Sequence, residues 1–277
     1  MKRLTLLMLA GLIGLAACSS DDDDKKIKLN KLTKVTCYKN SESAPVFQVE
    51  IYYNPDGTIS RLQDAEKGKL EFTYVDKKKL TVSGPESEKI EYALNNNFIT
   101  QMKTYALNPY AENTVYSNEE YTYTYRRDKL NTADKLIRWP LENSLQYETR
   151  TYSAYDNYTW EGNNINRFSQ ETKEMIYEYM PDKRPENLPF MVLSAFSPIS
   201  FDAFSPINFY RGALNAQLVS RAYWYQVPNT DISAEYLFDY TFRNEYVTTI
   251  FIEETDHTTN NGGMNTYTIH LEYNYQN

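Results

Sequence analysis

The sequence predicts an all-β protein: a single antiparallel meander of repeated hairpins, curled into a soluble barrel or half-barrel. Three observations carry that prediction. The 277 residues include 26 Tyr and 12 Phe against only 9 Gly and 11 Pro, and Tyr, Phe and Thr suit a pleated, half-buried surface. Apolar and polar residues alternate over short runs such as Phe47-Val49-Ile51-Tyr53, the period of a strand with one wet face. A phrase also recurs, clearest in Tyr92-Ala93-Leu94-Asn95-Asn96-Asn97-Phe98-Ile99 with Met102 three residues on. An aromatic is followed by a short polar turn, then an aliphatic, then another apolar residue three positions later.

The chain starts with Lys2 and Arg3 ahead of an apolar stretch, residues 4–15, too short to span a bilayer as a helix and suited to a signal peptide over residues 1–17. Leu15-Ala16-Ala17-Cys18 resembles a bacterial lipobox, which implies acylation of Cys18 as the new N-terminus. Each buried acyl methylene contributes roughly 0.8 kcal/mol, so several chains hold a protein at a membrane without a spanning helix. Residues 18–33 read as a tether. Asp21 to Asp24 are four adjacent carboxylates that repel one another and stay solvated. An acidic run just behind the Cys is similar to the export signal of Bacteroides-type surface lipoproteins, which implies the outer membrane, facing outward, with the membrane as partner through Cys18.

Removing residues 1–17 leaves 29 − 2 = 27 basic residues against 37 acidic, a net charge of −10. That balance, without a basic tract, argues against nucleic acid or an anionic lipid surface as partner. With Cys18 acylated only Cys37 remains, so neither an internal disulfide nor a thiolate metal cluster is expected, and no cofactor motif is present. Stability must come from the core of one β-rich domain, residues 34–277.

Hairpins follow in order. Phe47 to Tyr53 turns at Asn54-Pro55-Asp56-Gly57 into Ile59 and Leu62, and Leu70-Phe72-Tyr74 answers Leu80-Val82. The Asn95 to Asn97 unit comes next, then Tyr121-Tyr123-Tyr125 before Leu130. Trp160 turns through Gly162-Asn163-Asn164 into Ile165 and Phe168, and Tyr236-Phe238-Tyr240-Phe242 is answered by Val247 and Ile250. The last hairpin joins Ile250-Ile252 to Tyr267-Ile269-Leu271-Tyr273. The spacing is irregular, a degenerate repeat rather than a solenoid register.

This phrase is similar to the tyrosine-aspartate (Rhs-type) repeat, although Tyr155-Asp156 is the only such dipeptide among these units. In a Bacteroides-type secreted lipoprotein it resembles a family of unknown function with a porin-like fold. The resemblance covers about residues 46–277, implies a long antiparallel meander closing into an open or closed barrel, and carries over no catalytic residue. A membrane-spanning barrel is not expected. Tyr121, Tyr123 and Tyr125 run through mid-strand rather than forming girdles, and the opposite face reads Glu120, Thr122, Thr124, Arg126, unsuited to hydrocarbon.

Residues 185–209 break the alternation. Pro185, Pro189, Pro198 and Pro206 forbid a long helix, and so many Phe residues demand cover. This stretch is expected to fold over or into the sheet and complete the core.

Chemistry is sparse. His257 and His270 lack partners at metal-ligand spacing, and His270 belongs on a solvent-facing strand position. Nothing activates Cys37 or any serine. Glu119-Glu120 and Glu253-Glu254 project to opposite faces of a strand. The candidate ligand platform is aromatic: Trp139, Trp160, Tyr223, Trp224 and Tyr225 offer flat faces to sugar rings. Alternation puts Trp224 on one face of its strand and both tyrosines on the other. Three functions follow: a non-catalytic surface binding or accessory module taking a glycan or protein ligand, a structural subunit of an envelope complex, and a glycoside hydrolase with an acidic pair. The sequence favours the first.

Overall fold

A computed structural model describes residues 31–64, 68–75, 78–84, 89–111, 114–142, 146–190, 199–201, 205–228, 231–258 and 263–274. The expected signal peptide, Cys18 and the acidic run lie outside the described residues. Sixteen strands follow one another: β1 (Leu32–Lys39), β2 (Phe47–Tyr53), β3 (Ile59–Asp64), β4 (Gly68–Val75), β5 (Lys79–Ser83), β6 (Lys89–Asn95), β7 (Phe98–Leu107), β8 (Val115–Arg126), β9 (Lys129–Pro140), β10 (Tyr147–Glu161), β11 (Asn164–Gln170), β12 (Lys173–Lys183), β13 (Gln217–Gln226), β14 (Ile232–Arg243), β15 (Tyr246–Asp256) and β16 (Gly263–Tyr273). Each pairs antiparallel with the next, and β1 pairs with β16. The meander is therefore a closed barrel, which decides between the closed and open forms the sequence allowed. Closure leaves no edge strand to recruit another chain.

The repeat phrase is a hairpin plus a bulge. Asn96 and Asn97 are both left-handed, with φ of 49° and 66°, the conformation a two-residue hairpin turn demands and Asn tolerates. Past the turn, Leu94 faces Ile99 while Ala93 faces Gln101, so Thr100 has no partner. The same shift occurs after the turns at β2–β3, β8–β9, β10–β11 and β14–β15. A bulge consumes one residue, so positions three apart face the same way. This is why Ile59 and Leu62, Leu130 and Ala133, Ile165 and Phe168, and Val247 and Ile250 are all buried, a spacing that strict period-2 alternation does not give.

Apolar side chains fill the interior. Val35, Leu80, Ile99, Leu130, Ile165, Ile250 and Ile269 are fully buried. Ion pairs decorate the outside: Lys103 and Arg138 on Glu120, Lys79 and Lys89 on Glu91, Arg221 on Glu235. A membrane-spanning barrel has the reverse arrangement, apolar outside and polar within.

Sixteen strands enclose more space than their own side chains fill, and the β12–β13 connection supplies the rest. Its described residues meet the inner face on opposite sides of the barrel. Phe201 packs on Phe47 of β2, the Tyr210 O–H donates to the Tyr74 hydroxyl of β4, and Phe190 packs on Phe238 of β14. Leu188, Phe190, Ile207, Asn208 and Asn215 are buried. Arg184 fastens its start, donating from Nε to the Asn215 carbonyl and from Nη1 to the carbonyls of Pro185 and Leu188. The segment expected to cover the core is thus an internal plug. Pro206–Tyr210 forms a single 3-10 turn, and residues 191–198 lie outside the described residues.

The barrel has two unlike ends. The plug, the start of β1, the end of β16 and the hairpins β2–β3, β6–β7, β8–β9, β10–β11 and β14–β15 lie at one end. There the Lys31 N–H donates to Asn274 Oδ1 at 2.7 Å. The wall is low over β2–β6, with strands of five to eight residues, and tall over β8–β10, with strands of 12, 12 and 15. The hairpins align at the plugged end, so the extra length projects at the far mouth.

Candidate functional site

The inner face of the tall wall is built by register. Glu119, Ile137 and Arg150 lie opposite one another across β8, β9 and β10, as do Tyr121, Lys135 and Tyr152, and Trp139 faces Glu148. Opposed residues share a face, so these side chains form one inward-facing column that descends from the rim.

Trp139 is at the rim and 39% exposed. The Arg150 guanidinium lies 5.4 Å from its ring centroid and 3.6 Å from Glu148 Oε1. Below it, Lys135 Nζ pairs with Glu119 Oε1 at 3.1 Å and lies 4.6 Å from the ring of Tyr155 and 5.1 Å from that of Tyr121. Tyr155 meets Tyr121 and Tyr152 edge-on. It points inward because β10 carries a wide irregularity: Tyr152 faces Lys135 and Asp156 faces Ala133, leaving three residues opposite Asp134 alone. Ala154 takes φ 47° there and its N–H donates to Asp134 Oδ1 at 2.7 Å.

Asp156 is at the foot of the column, 8% exposed. Burial pushes its carboxyl up to about 6, against the pull of the Gln170 amide, which donates to Oδ1 at 2.6 Å, and of the Arg211 and Lys135 charges. Gln170 Oε1 is buried with no hydrogen-bond partner among the described residues. A flat ring beside a guanidinium, carboxylates and phenolic hydroxyls on one concave face is the chemistry that stacks a sugar ring and bonds its hydroxyls.

The five platform residues do not come together. Trp139 joins this face. Trp160 is at the plugged end of β10, its Nε1–H donating to the Leu130 carbonyl at 2.7 Å. Trp224 points into the barrel from β13, opposite Met175 of β12, with its ring against the core and Nε1 buried without a partner among the described residues. Tyr223 and Tyr225 take the opposite face, as alternation requires, and the Tyr223 O–H donates to Glu178 Oε1 at 3.2 Å. Asp156, Lys135 and Tyr155 escaped the sequence reading. Their one signal, the Tyr155-Asp156 dipeptide, reads there as a scaffold element.

Elsewhere chemistry is thin. His270 is exposed on β16 with Tyr38 edge-on at 5.9 Å, and His257 is exposed. Among the described residues no three His, Cys, Asp or Glu side chains converge to hold a metal ion. Cys37 is fully buried and its thiol is pushed up to about 12 by desolvation. Glu119 and Glu120 do part, the first inward to Lys135, the second outward to Arg138.

A porin-like protein from Bacteroides vulgatus ATCC 8482 superposes with a TM-score of 0.59 at 15% identity, over 89% of this chain and 100% of its own. One from Bacteroides uniformis ATCC 8492 gives 0.59 at 14% identity, over 87% and 97%. At such identity the likeness shows the fold alone. No curated protein matches the chain. Residues 19–277 match the model of a domain of unknown function, DUF5032, and the chain belongs to that family.

Proposed function

We propose that this protein is an outer-membrane lipoprotein, acylated at Cys18 and displayed on the cell surface, that acts as a non-catalytic binding module for glycans. One observation carries the reading: the chain enters the barrel at the plugged end, at Lys31, while Trp139 and the Asp156 column open at the opposite mouth. A tether at one end and an aromatic, hydrogen-bonding concavity at the other suit a receptor held off a membrane. The charged outer wall keeps the barrel out of the bilayer, and the plug fills the lumen a solute would cross. Binding to a glycan array, lost on Trp139→Ala with folding intact, tests the proposal. An array blank at millimolar ligand overturns the glycan assignment.

A second reading, a subunit of an envelope complex, draws on Leu107, Tyr110, Val115 and Leu141, exposed apolar residues around the ends of β7 to β9 at the same mouth. Cross-linking on intact cells that recovers only the lone chain removes it. The hydrolase reading has less support. Asp156 and Glu119 do share a face, but Lys135 holds Glu119 and Asp156 is nearly sealed beneath its neighbours, whereas a glycosidase needs both carboxyls open to the scissile bond.

A further inference from the structure

At the plugged end, the hairpins β8–β9 and β10–β11 flank a cleft of about 780 Å³ whose lining includes Arg126, Arg127, Lys129, Asn131, Asn157 and Asn163. We infer that this cleft binds a phosphate group. Arg126 and Arg127 are exposed, and neither has an ion pair among the described residues. Asp128, the one acidic side chain on the β8–β9 tip, also lines the cleft, but pairs with neither arginine, and the two guanidiniums and Lys129 outweigh its charge. Guanidinium forks with amide donors around them match phosphate oxygens, which accept several charge-assisted hydrogen bonds at once.

The hairpin is held in place before any ligand arrives. The plug's Ala213 N–H donates to the Asp128 carbonyl at 2.7 Å, and Gly212, at φ +87°, lies so close to that carbonyl that a Cβ would collide with it. On the other side Lys129 Nζ donates to the Gly162 carbonyl, its ammonium 5.4 Å from the Trp160 ring. Two neighbouring hairpins and the plug are thus tied together with the arginines at the tip, so binding costs little ordering.

Phosphate reaches this cleft from a lipid headgroup or as a free anion. The cleft shares its end with Lys31, where the tether enters, so in the anchored protein it faces the membrane. That placement rests on the Cys18 anchor, whereas the phosphate site itself does not. The net charge of −10 on residues 18–277 repels an anionic surface at long range, so attraction appears only at contact and is screened by salt.

The test uses the mature chain carrying Cys18→Ser, so that no acyl chain contributes. Co-sedimentation at low salt with vesicles of phosphatidylcholine containing phosphatidylglycerol, and not with phosphatidylcholine alone, supports the headgroup source. Shifts of the Arg126 and Arg127 amide resonances on titration with inorganic phosphate support the free-anion source. In either arm Arg126→Gln with Arg127→Gln weakens binding about tenfold or more. Lys78→Gln, which removes a charge from another hairpin at the same end, leaves binding unchanged. Binding that survives the double substitution, or absence of both vesicle and phosphate binding, overturns the site. Because both arginines are solvent-facing, an unchanged unfolding midpoint separates lost binding from lost structure.

Discussion

The phenolic O–H of Tyr125, near the end of β8, donates to the carbonyl of Ile99, near the start of β7, at 2.6 Å. Phenolic O–H donors make the same bond around the plugged end, Tyr53 to Leu32, Tyr179 to Ile165, Tyr240 to Val219 and Tyr273 to Val247, and the indole N–H of Trp160 makes its counterpart to Leu130. In each, the aromatic that closes an even-numbered strand reaches the aliphatic position at the head of the strand before it. Hairpin turns tie β2, β8, β10 and β14 to the strand after each, β12 leads into the plug, and these bonds tie each of the six even strands to the strand before it. On β6 the position is occupied by Leu94, which has no such donor.

Removing one of these donors leaves a carbonyl without its phenolic partner. Tyr125→Phe, Tyr240→Phe and Tyr273→Phe are each expected to lower stability by about 1 kcal/mol in urea unfolding. β8 is six strands from β14 and eight from β16, so Tyr125→Phe should add with either of the others. Unchanged midpoints in all three show that the ring of bonds contributes nothing.

Gly212 allows the plug to meet the β8–β9 hairpin. At φ +87° a side chain is strained, and an added methyl meets the Asp128 carbonyl and, at 3.1 Å, the Tyr125 ring. Gly212→Ala is expected to cost about 2 kcal/mol or more and to expose the 184–216 segment to limited proteolysis. A variant as resistant as the parent shows that this contact does not retain the plug.

Much of this architecture is legible in the sequence. The alternation in Phe47 to Tyr53 and in Tyr121 to Tyr125 gives the strands, Asn96-Asn97 gives a turn, and the Phe- and Pro-rich stretch reads as core-completing. The bulges are not legible as bulges. The three-residue spacing of Ile99 and Met102 is visible, but its cause, one unpaired residue beyond the turn, requires the pairing partner to be known. The site was harder still. Asp156 reaches Lys135 and Gln170 only because residues 153–155 bow out of register, and no local pattern marks such an excursion. The five platform residues are scattered because burial, not residue type, decides what a Trp does: Trp160 and Trp224 face inward to complete the core.

Asp156 makes stability depend on pH in a direction opposite to that of most carboxylates. Unfolded, its carboxyl titrates near 3.9; folded, burial pushes it up to about 6. Between those values the folded state holds the extra proton, so its contribution to stability falls as pH rises through the window and stays low above it. Asp156→Asn is expected to remove that slope and to raise stability at pH 7 by on the order of 2 kcal/mol, less whatever Lys135 and Arg211 lose. A carboxyl resonance for Asp156 titrating near 4 contradicts this.

The proposed placement sets the plugged end toward the membrane and the tall wall outward, displayed outside the cell. Cys37 is fully buried with its thiol pushed up to about 12, so it supplies no background to thiol labelling. Glu142→Cys, at an exposed position in the β9–β10 loop beside the far mouth, is expected to react with a membrane-impermeant maleimide on intact cells. Labelling that appears only after the cells are lysed contradicts the account.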